Sequence, residues 1–86
     1  MSTKKVYVVS GALWYKFTNE LYNDLTKVYT RKWDAMRDLA GRVRERLDDG
    51  LNYPGARRVD REEFERCVVD DCGDVFGWNI DAVEIE

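Results

Sequence analysis

The residue types best suited to chemistry are concentrated in one stretch, "FERCVVDDCGD", at residues 64–74. It holds both cysteines of the chain and three aspartates: Cys67, Cys72, Asp70, Asp71 and Asp74. Thiolates and carboxylates can bind metal ions, and two nearby cysteines can exchange thiol for disulfide. On a helix, however, a five-residue spacing separates the two cysteines by about 140° around the axis. The spacing therefore predicts neither a shared metal ligand pair nor a disulfide.

Histidine is missing from the sequence. This excludes Ser-His-Asp and Cys-His catalysis and removes the commonest zinc ligand. Acid/base work by the carboxylates of "REEFER" is a further possibility, but acids this dense on an exposed helix are usually only solvated. We expect no catalytic residue, no metal site, no cofactor and no enzymatic activity.

The length and composition of the chain bound its class. Eighty-six residues, 44% hydrophobic and 36% charged, suit one folded domain over residues 1–86. Two cysteines are too few for a secreted disulfide scaffold, and the apolar run Val6–Val9 is too short to span a membrane. The sequence therefore predicts a cytoplasmic protein without membrane contact.

The first thirty residues read as strands. "KKVYVVS" (4–10) has the valine content of a strand covered on both faces, and Ser10-Gly11 is expected to interrupt it. Between residues 12 and 25 a four-residue spacing of leucines and Phe17 also fits a helix. The β-branched and aromatic content favours strands at about 12–18 and 25–30, with a turn at 22–24.

Two helices and a final strand are expected in the rest of the chain. Trp33, Met36, Ala40, Val43 and Leu47 recur at helical spacing and predict a helix from about 31 to 49. Pro54-Gly55 predicts a type II turn. Residues 60–72 predict a second helix, which starts with the capping-box-like pair Asp60 and Glu63 and has Gly73 as its C-cap. "VFGWNIDAVEIE" predicts a strand with a bulge near Asp81-Ala82.

Together these elements predict an α+β fold. We expect a small, mostly antiparallel sheet of three to four strands with two helices packed on one face. Whether residues 12–25 form a strand or a helix decides where Trp14 points.

Charge is distributed unevenly along the chain. Residues 1–58 carry 12 Lys/Arg and 7 Asp/Glu, whereas residues 59–86 carry 2 and 10. Acids of the second half could form a face for a basic partner, and alternation would leave Trp14, beside Tyr15, exposed as an aromatic anchor. The predicted protein-binding residues are Trp14, Tyr15, Glu62, Glu63, Glu65, Asp70, Asp71 and Asp74.

Two other functions remain open at this point. Nucleic acid could bind to a basic group formed by Arg42, Arg46, Arg57 and Arg58, although a pI near 5.0 disfavours it. A homo-oligomeric structural component could instead associate through an exposed sheet face. The chain is expected to be a monomer or a homodimer.

The succession "KVYVVSG", "KVYTRKWDAMRDLAGRV" and "NIDAVEIE" resembles the small α+β accessory proteins of phages and mobile elements, anti-CRISPR proteins among them. The likeness lies in the outline of the elements and transfers no site residue. It implies a protein that binds and blocks another macromolecule. The expected function is therefore a non-enzymatic inhibitor that covers a basic or nucleic-acid-binding surface of a host protein complex.

Overall fold

The computed structural model describes residues 4–85, which form five strands and one helix. In chain order they are β1 (Lys4–Tyr15), β2 (Glu20–Tyr29), α1 (Lys32–Asp48), β3 (Arg57–Val59), β4 (Arg66–Val69) and β5 (Val75–Ile85). The strands form one antiparallel sheet in the order β2-β1-β5-β4-β3, and α1 packs on one of its faces. The α+β class and the antiparallel sheet are confirmed. The sheet has five strands instead of three to four, and one helix instead of two is present among residues 4–85.

The first strand continues through the expected interruption at Ser10-Gly11. β1 pairs with β5 without a register shift from Lys4↔Ile85 to Trp14↔Val75, so the predicted bulge near Asp81-Ala82 is wrong. The irregularity lies on the other side of β1. Val9 pairs with Lys27 and Gly11 with Asp24, so two residues of β2 face Ser10 alone. β2 therefore contains the bulge.

The first hairpin turns at residues 16–19, and the expected turn at 22–24 is wrong. Asn19 adopts the left-handed conformation, with φ of 54°, which the turn requires. Residues 22–24 lie inside β2, where they pair with Leu13, Ala12 and Gly11. The segment that could have been strand or helix is thus strand on both sides of the turn.

The predicted second helix is also wrong. Residues 60–65 are irregular, and β4 follows them and pairs with β5. Cys67 and Val68 are both buried although adjacent strand residues point to opposite faces. Val68 belongs to the core beside α1, while Cys67 lies on the face that residues 60–65 cover. Because both faces of β4 are covered, adjacent apolar residues occur in its sequence, and this pattern was mistaken for the apolar stripe of a helix.

The helix α1 buries only part of the expected apolar stripe: of its five residues, Val43 is buried and Leu47 packs against the core. Ala35, Leu39 and Val43 are buried, whereas Trp33 and Met36 are 66% and 44% exposed. The neighbouring row of the helix contains Asp38, Arg42 and Arg46, whose polar groups also face the sheet. The helix is therefore rotated relative to the predicted apolar stripe, because the charged row has partners on the sheet.

The core is built around Trp78. Its indole is fully buried and occupies the space beside Gly11, where any Cβ would overlap the ring. The indole Nε1–H donates to Asp24 Oδ2 at 2.8 Å, and Arg42 Nη1 donates to the same oxygen at 3.3 Å. One tryptophan of β5 is thus connected through β2 to the helix.

Arg42 continues this connection to a second carboxylate. Its Nε and Nη2 donate to Oδ1 and Oδ2 of Asp38 at 2.9 and 3.1 Å, and Tyr29 OH donates to Asp38 Oδ2 at 2.7 Å. Burial acts to raise the pKa of Asp38, but the hydrogen bonds from Arg42 and Tyr29 outweigh it and lower that pKa. The carboxylate is therefore stabilised in its charged form.

Two glycine substitutions test the packing at Trp78. We expect Gly11→Ala to destabilise the protein by about 1–3 kcal/mol, because the new methyl overlaps an indole held by Asp24. The matched control is Gly41→Ala in α1, where the added Cβ meets open space. This control should gain about 0.5–1 kcal/mol from helix propensity. Urea denaturation measures both, and a Gly11→Ala variant as stable as the wild type would contradict the packing.

Acid titration tests the Asp38 pair. The pKa of Asp38 is lower in the folded protein than its ordinary value of 3.8. The charged carboxylate therefore stabilises the fold at pH values above 3.8, and this stabilisation is lost as the pH falls through the pKa of the folded state. Asp38→Asn should therefore cost about 1–3 kcal/mol at neutral pH, and its difference from wild type should shrink below about pH 4. Asp48→Asn, exposed on the same helix, is the control. A difference that stays constant down to about pH 2 would exclude a charged Asp38 as the source.

Candidate functional site

The end of the β1–β2 hairpin concentrates exposed apolar side chains. Phe17 in the turn is 99% exposed, and Leu21 and Tyr22 at the start of β2 are 67% and 49% exposed. Trp14 and Tyr15, which precede the turn, are half-buried. These five residues, Trp14, Tyr15, Phe17, Leu21 and Tyr22, are called the aromatic tip below. The two predicted aromatic anchors therefore lie together with three residues that the sequence reasoning did not select.

The aromatic tip has two sides because of strand alternation. Trp14 pairs with Leu21 on the face opposite the helix. On the helix side, the rings of Tyr15 and Tyr22 meet edge to face at 5.7 Å, and Tyr15 meets the buried Phe76 in the same way at 5.7 Å. The ring of Tyr15 thus connects the tip to the core.

The turn at residues 16–19 is fixed by polar contacts at both ends. Trp14 Nε1–H donates to Asn19 Oδ1 at 3.2 Å, and the backbone N–H of Lys16 donates to Asp74 Oδ1 at 2.9 Å. Gly73, with φ of 85°, leaves the space that the aliphatic part of Lys16 fills. The turn is therefore attached to the β4–β5 turn, and Phe17 is presented from a constrained backbone.

A groove of about 440 Å³ lies on the side of Trp14 and Leu21. Segment 60–65 forms its opposite wall and places the ring of Phe64 over Gly77, where a Cβ would overlap it. Lys16, Arg61 and Glu63 supply the charged groups of this groove. It is apolar at its base and of mixed charge at its rim.

A second groove of about 570 Å³ lies on the other side, along Tyr15, Phe17 and Tyr22. Its two charged residues are Glu20 and Asp74. Burial, and next the neighbouring Tyr53, raise the pKa of Tyr15, so its phenol stays protonated at neutral pH. This groove therefore combines aromatic rings with negative charge.

The predicted acidic face is divided by the structure. Glu63 lines the first groove and Asp74 the second, so both lie next to Trp14 and Tyr15 as expected. Asp70 is only 3% exposed, and its Oδ1 accepts from the backbone N–H groups of Cys72 and Asp74 at 3.0 and 3.1 Å. Asp70 therefore shapes the β4–β5 turn and cannot form part of a contact surface.

The remaining acids lie away from the aromatic tip. Asp71 pairs with Arg57 at 3.3 Å, with both side chains largely exposed. Glu65 Oε2 accepts from the backbone N–H of Ile80 at 3.2 Å and so occupies the edge of β5 beyond β4. Glu62 is exposed in segment 60–65. The acidic surface next to the tip consists of Glu20, Glu63 and Asp74.

The four arginines selected for nucleic acid do not form one surface. Arg42 is held by Asp24 and Asp38, and its side chain is 11% exposed. The guanidinium of Arg46 lies over the rings of Tyr53, Phe76 and Trp78, with its carbon 4.8, 5.1 and 5.8 Å from their centroids. Such cation–π contacts stabilise the core. Of the four, Arg57 and Arg58 remain exposed.

Sequence reasoning missed Phe17, Leu21, Tyr22, Glu20 and Phe64 as site residues. The first four come together only when the hairpin turns at residues 16–19. The dipeptide Asn23-Asp24 led instead to the prediction of a turn at 22–24. Asn19 was the available signal, because it is an asparagine like Asn23 and tolerates the left-handed conformation equally well. Phe64 depended on a second helix that does not form.

The two cysteines of residues 64–74 lie in different environments. Cys67 is buried and Cys72 is exposed, and neither forms a disulfide. No group of three or more potential metal ligands occurs within residues 4–85. Over the same residues, no helix is long and apolar enough to cross a membrane.

Thiol labelling tests these two environments. Burial raises the pKa of the Cys67 thiol, so this residue is both protonated and shielded. We expect one thiol per chain, Cys72, to react rapidly with a chromogenic disulfide reagent, and Cys67 to react only on unfolding. Cys72→Ser should remove the rapid phase. Two equally rapid thiols in the native protein would contradict the burial of Cys67.

Comparison with known proteins adds no relative: no protein-family model matches the chain, and no curated protein or solved structure is significantly similar to it. The functional assignment of this chain depends on the residues and geometry described above.

Proposed function

We propose that this protein is a non-enzymatic binding module that uses the aromatic tip to dock into another protein and cover part of its surface. The observation that carries the proposal is Phe17, a large apolar side chain 99% exposed at the end of a hairpin. Apolar rings on both sides of the turn extend the same surface.

The physical argument is one of preorganisation. Aromatic side chains are enriched at the centres of protein interfaces and supply much of their binding energy. A ring that is already held in place loses less conformational entropy on binding. Tyr15 is packed on Phe76, Trp14 is bonded to Asn19, and Lys16 is bonded to Asp74. The backbone of the turn and the rings of Trp14 and Tyr15 are therefore preorganised, while the side chain of Phe17, 99% exposed, projects from this fixed base.

Charge indicates the type of partner. Glu20 and Asp74 are the charged residues of the groove beside Phe17, whereas the groove beside Trp14 holds Lys16 and Arg61 together with Glu63. A partner that offers an apolar pocket with lysine or arginine at its rim would match the groove beside Phe17. The resemblance to phage accessory proteins implies a protein that binds and blocks another macromolecule, and we propose occlusion as the mode of action.

Affinity capture from an extract of the natural host tests the proposal. The tagged wild type should retain a protein partner that nuclease treatment does not release. Phe17→Ser should lower recovery at least about tenfold, because the central ring of the contact is removed. The matched control is Leu51→Ser, since Leu51 is 92% exposed but lies in the loop after α1. This control should bind like the wild type.

Further variants separate the apolar contact from the charged one. Asp74→Asn removes the charge but keeps an oxygen that can accept from the Lys16 N–H. Glu20→Gln likewise removes a negative charge from the rim of the groove with little change in side-chain size. Together they should weaken binding more at low salt than at high salt. Equal recovery of Phe17→Ser and wild type would refute the tip as the docking site. Release of the partner by nuclease would indicate nucleic acid and the exposed Arg57-Arg58 pair instead.

A further inference from the structure

Within residues 4–85, no segment covers about half of the sheet face opposite the helix. Segment 60–65 covers this face only around Gly77, through Phe64. Beyond it, the register places six apolar residues on one surface: Val6 and Val8 of β1, Leu25 and Val28 of β2, and Val83 and Ile85 of β5. This set is called the valine patch below. It is separate from the aromatic tip and has no role in the proposed function.

The valine patch is exposed to an unusual degree. Leu25 and Val28 are 65% and 60% exposed, and Val83 and Ile85 are each 43% exposed. The bulge of β2 contributes to this, because Leu25 and Thr26 both lie opposite Ser10 and project away from the helix. Strand spacings of about 4.8 Å and about 3.3 Å per residue give the patch an area of about 300 Å² in plan. A patch of this size is comparable to the largest apolar patch on a typical monomer, which is often functional.

Two opposite charges lie on the patch. Lys4 pairs with Ile85 at one end of the patch, and Asp81 pairs with Val8 two rows away, so both lie on this face. Both are exposed, and within residues 4–85 neither forms an ion pair. The pair Val6↔Val83 lies midway between the two rows.

Consider a two-fold axis that lies between two sheets packed face to face, runs perpendicular to the strands and passes over the Val6–Val83 row. This axis places the row of Lys4 in one copy over the row of Asp81 in the other. Opposite charges then meet twice, one on either side of the paired Val6–Val83 rows, and Leu25 lies outside the paired rows. Sheets pack face to face in this way at a separation of about 10 Å. We propose that a second copy of this chain covers the valine patch and forms a two-fold symmetric dimer.

The area sets the expected strength of the dimer. A standard stable interface buries about 800 Å² per partner, and the patch with its rim supplies less than that. The dimer should therefore be weak, with a dissociation constant of about 10–100 μM. Sedimentation velocity from about 1 μM to about 500 μM should show the mass rise from that of one chain toward that of two.

Charge reversal identifies the second copy as the occupant. Lys4→Glu and Asp81→Lys should each weaken the dimer at least about tenfold, and the double variant should restore it because the pairs re-form with exchanged signs. Val28→Asp should abolish dimerisation, while Leu51→Asp, exposed outside the patch, should not change it. Far-UV circular dichroism and the melting temperature confirm that each variant folds.

Three results would overturn the proposal. The wild type could remain monomeric at about 500 μM, well above the expected dissociation constant. Val28→Asp could dimerise like the wild type, or the double charge variant could be weaker than both single variants. None of these results bears on the aromatic tip, since Phe17→Ser leaves the valine patch intact and should dimerise normally.

Discussion

The packing of Trp78 beside Gly11 is the constraint on which the other elements depend. The indole can enter the core only because β1 has no side chain at that position, and its N–H then needs an acceptor. Asp24 supplies the acceptor, which requires β2 to bring this residue opposite Gly11. A carboxylate at that depth needs a cation, and Arg42 of the helix provides it. The register of the hairpin thus supplies the hydrogen-bond acceptor of the buried indole, and the rotation of the helix supplies the cation that pairs with this acceptor.

The acidic second half of the chain has a local explanation in the same terms. Aspartates of the β4–β5 turn accept backbone hydrogen bonds that would otherwise lack partners: Asp70 closes its own turn, and Asp74 holds the first hairpin. Charge that appears in the sequence as a surplus is therefore used in part to shape two turns. Of the acids of this half that stay exposed, Glu63 lies next to the aromatic tip, where it adds direction to an apolar contact, whereas Glu62, Glu65 and Asp71 lie away from it.

The sequence predicted the class of the fold and the position of α1, because both depend on local periodicity and composition. It also predicted the Pro54-Gly55 turn, where Gly55 has a φ of 68°. Two errors have one physical cause. Burial of Cys67 and Val68 by different layers, and the choice of Asn19 over Asn23 for the turn, are decided by long-range strand pairing. A local pattern records that a residue is buried or turn-forming, but not which distant strand selects it.

The same limit applied to the candidate site. Trp14 and Tyr15 could be selected as aromatic neighbours, whereas Phe17, Leu21 and Tyr22 became part of the site only once the hairpin was known to turn at residues 16–19. Acidic residues could be counted, but only their hydrogen bonds separate Asp70, which is structural, from Glu63, which is available to a partner.

The bulge in β2 has a consequence for the behaviour of the protein at high concentration. β2 is an outer strand of ten residues with exposed apolar side chains, and an uninterrupted ladder of this kind is a template for fibril growth. The extra residue at Leu25-Thr26 breaks the repeat of backbone donors and acceptors along that edge and increases its twist. An incoming strand would meet matching groups over only a few residues at a time. The irregularity therefore protects the chain from polymerisation along its longest open edge.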